Sequence, residues 1–144
     1  MTSLLIVAHG SRRNQANRTI QQLGKRVVYH LRMNLDDVQV GFLEFSQPSV
    51  QSCIDACFNN GSHQLWVLPY FLAQGNHVSK DIPNEIAAAK RKWPNKQLHL
   101  LPHIGEMEDM SNLIAKHCLE ALIINHELTP VKTMPKHYEL EMNG

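Results

Sequence analysis

The sequence lacks three features that would each have indicated a class of protein. Its 144 residues include 14 basic and 13 acidic side chains, and this balanced charge indicates neither a nucleic acid nor a membrane surface as a partner. No apolar run approaches the roughly 20 residues that a membrane-spanning helix needs. The N-terminus shows no basic segment followed by a cleavage site. We therefore expect a cytoplasmic protein without nucleic-acid or membrane partners.

Cysteine is also scarce. The three cysteines, Cys53, Cys57 and Cys118, form no C-x-x-C pair, and an odd number fits a reducing compartment better than a disulfide framework. Cys53 and Cys57 are four residues apart in a segment of helical periodicity, so they share one helix face. We expect buried free thiols, the usual state of cysteine outside disulfides.

Short apolar runs alternate with segments of helical spacing over most of the chain. The runs predict strands at residues 3–8, 38–45, 64–72 and 97–101, and the spacing predicts helices at 12–34, 48–58, 79–92 and 106–125. Four such units predict one doubly wound α/β domain over residues 1–126, a parallel four-stranded sheet with helices on both faces. Residues 127–144 show little periodicity, and we expect a tail that is flexible or docks on a partner subunit.

Polar side chains follow each predicted strand. His9 comes after the first strand, Glu44 ends the second, His77 lies a few residues beyond the third, and His103 follows the fourth. In a parallel sheet these positions share the carboxyl edge, where ligands bind. Imidazole nitrogen and carboxylate oxygen suit Co²⁺, Fe²⁺, Ni²⁺ and Zn²⁺. Because the ligands are too few for a closed cage, the pattern predicts a metal site with open coordination positions.

Other interpretations of these residues need no metal. A histidine at a strand end often caps or packs, and Glu44 is equally explained as a solvated strand end or a partner of a lysine. Ser11 is favoured as a helix N-cap rather than a nucleophile. Arg12 and Arg13 next to a helix N-terminus either hold an anion or are solvated. No glycine-rich nucleotide motif is present, so no organic cofactor is indicated.

Four motifs, in order, resemble those of a known family. Segments 8–12, 42–49, 67–72 and 75–83 read AHGSR, FLEFSQPS, VLPYFL and GNHVSKDIP. They resemble the CbiX/SirB family, the class II tetrapyrrole chelatases (sirohydrochlorin cobaltochelatases and ferrochelatases), and the likeness spans residues 4–104. A chain with one such domain is similar to the short form of the family, half of a two-domain arrangement, and is expected to pair as a homodimer.

The resemblance implies an activity and a site. The expected reaction is ATP-independent insertion of Co²⁺, Fe²⁺ or Ni²⁺ into sirohydrochlorin or a related tetrapyrrole, with the metal as substrate and no organic cofactor. His9 and His77 match the metal-binding and catalytic pair of the family, and Glu44 matches its acidic residue. Neutral imidazoles and a carboxylate can together accept the two pyrrole protons. The expected substrate-binding residues are Ser11, Arg12, Phe45, Tyr70, Phe71 and Leu72.

Two further hypotheses compete with the chelatase. A carrier that binds metal or tetrapyrrole without catalysis could use the same fold, because fold does not determine function. A histidine-phosphate enzyme would have arginine before the first His-Gly, where this chain has Ala8. The sequence therefore disfavours the phosphate enzyme and leaves the carrier open.

Overall fold

The computed structural model describes residues 1–31 and 35–124. The strands are Thr2–Ala8 (β1), Asp37–Phe42 (β2), Gln64–Pro69 (β3) and Gln97–Leu100 (β4). The α-helices are Asn14–Leu31 (α1), Val50–Asn59 (α2), Ile82–Lys92 (α3) and Met110–Ile124 (α4). A π-helical turn spans His77–Asp81, and a 3₁₀ turn spans Ile104–Glu106. The chain divides into two compact units, Met1–Met107 and Glu108–Gly144. The first unit contains the sheet, and the described part of the second is mainly α4.

The four strands form one parallel sheet in the order β2-β1-β3-β4, which confirms the predicted α/β class. Leu5 of β1 lies opposite Gln39 of β2 on one side and Val67 of β3 on the other. From β1 the chain crosses to β2 at one edge of the sheet, whereas from β3 it crosses to β4 at the opposite edge. The topological switch point, where this architecture binds ligands, therefore lies between the carboxyl ends of β1 and β3.

Strand β1 is the centre of the core, with six of its seven residues buried. On one face, Leu5 and Val7 pack in a cluster with side chains of α2 and α3. On the other face, Leu4 and Ile6 belong to a cluster against which α1 packs. Helices thus cover both faces of the sheet, and β1 holds the residues that follow it in a fixed position.

Several element ends differ from the sequence prediction. Strand β2 ends at Phe42 rather than residue 45, and Phe45 itself has a φ of 59°, which lies outside the strand region. Strand β3 ends at Pro69 rather than residue 72. The Ser11 hydroxyl accepts the Arg13 N–H at 3.0 Å, before α1 begins, so Ser11 closes a turn and is not the predicted N-cap.

The cysteines follow the prediction in part. Cys53 and Cys57 are buried and free, and burial, together with the charge of Asp37, raises the pKa of Cys53 to about 11 and that of Cys57 to about 12. Cys118 is free but exposed, so the expected burial is wrong there.

Two expectations concern the membrane and the end of the chain. Within residues 1–31 and 35–124, none of the helices is both long and apolar enough to cross a bilayer. The tail expected at residues 127–144 lies outside the described residues, and the domain boundary at residue 126 stays a prediction.

Candidate active site

Two of the predicted ligands meet at the switch point. His9 directly follows β1, and His77 begins the π-helical turn beyond β3. The centroids of the two imidazole rings lie 4.4 Å apart, with the ring planes at 66°. Each side chain keeps more than a third of its surface exposed, 38% for His9 and 35% for His77. The structure therefore brings the two histidines together at an open edge of the sheet.

Hydrogen bonds at Nδ1 define the tautomer of each neutral ring. His9 Nδ1 lies 2.9 Å from the carbonyl oxygen of Gly10, and His77 Nδ1 lies 2.7 Å from Oδ2 of Asp81. A carbonyl and a carboxylate can only accept, so in the neutral rings each Nδ1 donates its proton. Nε2 then keeps its lone pair in both rings, which is the form that binds a metal ion.

Glu44 adds a carboxylate beside His9. Its Oε2 lies 3.5 Å from His9 Nε2, and its backbone N–H donates to the His9 carbonyl at 2.9 Å. His103, predicted at the same edge, is instead buried with its Nδ1 3.3 Å from Glu106 Oε2. Over the described ranges, no three His, Cys, Asp or Glu side chains are grouped closely enough to hold a metal ion. The protein thus offers a histidine pair with an adjacent carboxylate rather than a closed cage.

Aromatic rings extend the pair on both sides. Phe45 lies 5.9 Å from His9, and Phe71 lies 6.2 Å from His77, both between ring centroids. The Arg12 guanidinium lies 4.8 Å from the centroid of the Phe45 ring, a cation–π distance. The result is a row of four rings with a cation at one end.

The remaining predicted substrate residues surround this row less closely. Leu72 is 76% exposed. Tyr70 is half-buried against the α1-side core and lines a cavity of about 220 Å³ that His9 and Ser11 also line. Tyr70 and Ser11 are therefore adjacent to His9, whereas Leu72 is an apolar side chain at the surface.

Two residues that the sequence reasoning did not assign to the site hold the His9 loop. Gly10 has a φ of 94°, and a Cβ there would lie 1.8 Å from the Glu44 carbonyl oxygen. Asn17 is buried, accepts the Ser11 N–H at 2.9 Å and donates to the Ser11 carbonyl at 2.7 Å. The sequence signal for Asn17 is helical spacing, because Asn17 precedes the partly buried Ile20 by three residues on the same helix.

The carboxylates that contact the pair also share a polar hollow. Leu43, Glu44, Asp81, Asn84 and Glu85 line this space of about 320 Å³. The carboxylates of Glu44 and Asp81 concentrate negative charge next to the two imidazoles, whereas Glu85 bonds Gln51. Such a potential favours the approach of cations.

Comparison with known sequences identifies the family of the chain. A model of the CbiX family matches residues 3–121. The sirohydrochlorin cobaltochelatase of Methanococcus maripaludis is 34% identical over 58% of this chain and 56% of its own length. The chloroplastic sirohydrochlorin ferrochelatase of Arabidopsis thaliana is 27% identical over 81% of this chain and 52% of its own length. The chain therefore spans about half the length of these two relatives.

One further relative and one solved structure extend the comparison. The sirohydrochlorin cobaltochelatase of Sulfurisphaera tokodaii is 28% identical over 85% of this chain and 95% of its own length. The sirohydrochlorin chelatase SirB of Bacillus subtilis subspecies spizizenii, solved in complex with cobalt, superposes with a TM-score of 0.74 at 25% identity, over 83% of this chain and 50% of that one. With the family match over most of its length and the same fold, this chain belongs to the CbiX family.

Proposed function

We propose that the protein inserts a divalent metal ion into sirohydrochlorin or a related tetrapyrrole, without ATP. The observation behind this proposal is the pair of histidines, 4.4 Å apart, whose neutral rings both keep a free Nε2 lone pair. The substrate class is supported by the names of the relatives, which are sirohydrochlorin chelatases.

In the proposed reaction the metal first binds Nε2 of His9 and Nε2 of His77. A divalent ion that enters the ring replaces two pyrrole N–H protons, so the site must accept two protons for each metal delivered. An imidazole that has released the metal regains a free lone pair and becomes one acceptor. The Glu44 carboxylate, 3.5 Å from His9, is available as the second. Charge balances, since one dication enters and two protons leave.

The proposed substrate surface is the row of rings. Phe45 and Phe71 on either side of the pair, with the exposed Leu72, present apolar area to the face of the macrocycle. Arg12 stands at one end of the row, where its guanidinium can pair with a peripheral carboxylate of the substrate. Tyr70 and Ser11 complete the proposed surface beside His9.

The proposed metal is Co²⁺, Fe²⁺ or Ni²⁺. Two imidazole nitrogens bind all three, and the order of affinity is common to such ligands, so availability selects among the metals. Cobalt and iron are supported by the names of the relatives, and nickel by ligand chemistry alone. The metal is a substrate of this reaction, and the proposal includes no organic cofactor.

We further propose that two copies of the chain pair as a homodimer in the cytoplasm. The row of rings is open, with Phe45 53% and Leu72 76% exposed, and a second copy facing it would close the cleft around the macrocycle. The odd number of cysteines and the buried free thiols of Cys53 and Cys57 support a reducing compartment. Light scattering should give twice the 16.4 kDa of one chain, and the mass of a single chain would contradict the dimer.

The test follows the absorbance of sirohydrochlorin as Co²⁺ is added. Insertion by the wild type should exceed the uncatalysed rate, and His9→Ala and His77→Ala should each slow it about 100-fold, a common cost for losing a group that transfers protons. His63→Ala is the matched control, because His63 is exposed and lies outside the histidine pair. Equal rates in all three variants would reject the site. Tight binding of metal or ring without insertion would favour the carrier instead.

A further inference from the structure

We propose that Asp81 is a positioning residue for His77, which holds the imidazole in the tautomer and orientation that direct Nε2 to the metal. The inference rests on the proposed function, because it deepens the account of the same histidine pair. It assigns a role to an aspartate that the sequence motifs include but that the proposed reaction does not use.

The first argument is the local backbone. His77 and Asp81 are the two ends of a π-helical turn, in which the Ile82 N–H donates to the His77 carbonyl. Such wide turns are rare and are frequently found at functional sites. The turn brings His77 Nδ1 and Asp81 Oδ2 to 2.7 Å, which is the distance of a charge-assisted hydrogen bond.

The second argument is that the Asp81 carboxylate does not cap a helix. An aspartate at a free helix N-terminus ordinarily accepts a backbone N–H of the first turn, but the π-helical turn continues directly into α3 and Asp81 lies within this continuous helix. Here the Asp81 side chain makes no such capping bond, and its backbone has helical rather than extended angles. Its carboxylate is therefore directed to the imidazole instead of the helix.

The third argument is that the turn is anchored on both sides. Ile82, the residue after Asp81, is completely buried in the core. On the other side, the Ser79 N–H and hydroxyl both donate to the Gly75 carbonyl, at 2.9 and 3.0 Å. The Asp81 carboxylate thus approaches His77 from a fixed position.

The consequence concerns which nitrogen binds the metal. Without an acceptor at Nδ1, the proton of a neutral imidazole is free to move to Nε2, and a protonated Nε2 cannot bind a metal ion. A carboxylate at Nδ1 prevents this exchange and makes the ring a stronger ligand. Loss of such an orienting carboxylate typically weakens metal binding by about 10- to 100-fold.

The experiment compares Asp81→Ala, which removes the acceptor, with Asp81→Asn, which keeps an acceptor oxygen but removes the charge. Glu85→Gln is the matched control, because Glu85 lines the same hollow but bonds Gln51. Two quantities are measured on the protein without tetrapyrrole. They are the His77 tautomer, from the ¹⁵N chemical shifts of its ring in alkaline buffer, and the Co²⁺ affinity, from calorimetry.

We expect the Nδ1–H tautomer in the wild type, Asp81→Asn and Glu85→Gln, and a shift toward Nε2–H in Asp81→Ala. The Co²⁺ affinity should fall about 10-fold or more in Asp81→Ala, less in Asp81→Asn, and remain within about twofold in Glu85→Gln. A purely structural role would leave the tautomer unchanged in a folded variant.

An unchanged His77 tautomer in folded Asp81→Ala would overturn the inference. So would a loss of Co²⁺ affinity in Glu85→Gln as large as that in Asp81→Ala. If Asp81→Ala does not fold, wild-type Co²⁺ affinity in Asp81→Asn would overturn it. Neither readout uses metal insertion. A protein that behaves as expected here but inserts no metal would contradict the proposed function and leave the role of Asp81 standing.

Discussion

The two histidines of the pair are held by different means. His9 Nδ1 bonds the carbonyl of Gly10, the next residue of its own loop, and Asn17 fixes that loop through the backbone of Ser11. His77 Nδ1 bonds a carboxylate across one helical turn. One ring is thus oriented by backbone shape and a neutral dipole, and the other by a charged side chain.

This difference predicts unequal roles within the pair. A carboxylate partner makes His77 the stronger metal ligand, whereas His9 has only a carbonyl at Nδ1. His9 has its carboxylate, Glu44, on the Nε2 side, 3.5 Å away, where a proton taken from the macrocycle can be shared. We therefore expect His77 to contribute more to metal retention, and His9 with Glu44 more to proton removal.

Among variants of the His9 loop, we expect the largest loss of stability and activity from Gly10→Ala. A Cβ at this position would lie 1.8 Å from the Glu44 carbonyl oxygen, and the φ of 94° is unfavourable for alanine. The loop has to move, and both His9 and Glu44 move with it. We expect a loss of roughly 2–4 kcal/mol in the free energy of unfolding, measured in urea, and loss of insertion activity. Wild-type stability would mean that the loop adapts and does not fix His9.

A smaller effect is expected from Asn17→Ala, which removes both hydrogen bonds to Ser11. Leaving these backbone groups unpaired should cost about 1–3 kcal/mol of stability. Amide chemical shifts should change at residues 9–13 but hardly at residues 77–81, because only the His9 loop is released. Asn14→Ala is the control, since Asn14 is exposed on the same helix. Equal shift changes around His77 would show that the two histidines are not held separately.

The sequence was sufficient to predict the fold and the meeting of the two histidines. Continuous apolar runs predicted buried parallel strands, and β1 is indeed covered on both faces. Because the predicted strands are parallel, the residues that follow them, including His9 and His77, lie at the same carboxyl edge of the sheet. Their proximity then depended on strand order, which places β1 next to β3.

The contacts that orient the histidines could not be read from the sequence. The helix containing Asp81 was predicted to begin at residue 79, which left His77 in a loop without a partner. The structure has a π-helical turn from His77, a conformation that no periodicity indicates. Similarly, a strand was expected through Phe45, whose φ of 59° is uncommon for a residue other than glycine and is not indicated by its residue type.

The central claim, that His9 and His77 bind the metal together, is tested most directly by X-ray absorption spectroscopy of the Co²⁺-loaded protein. The spectrum should show two imidazole nitrogens on the metal in the wild type. One imidazole should remain on the metal in His9→Ala and in His77→Ala, and none in the double variant. Co²⁺ should bind more weakly to His77→Ala than to His9→Ala. A spectrum with two imidazoles that persists in the double variant would contradict the account.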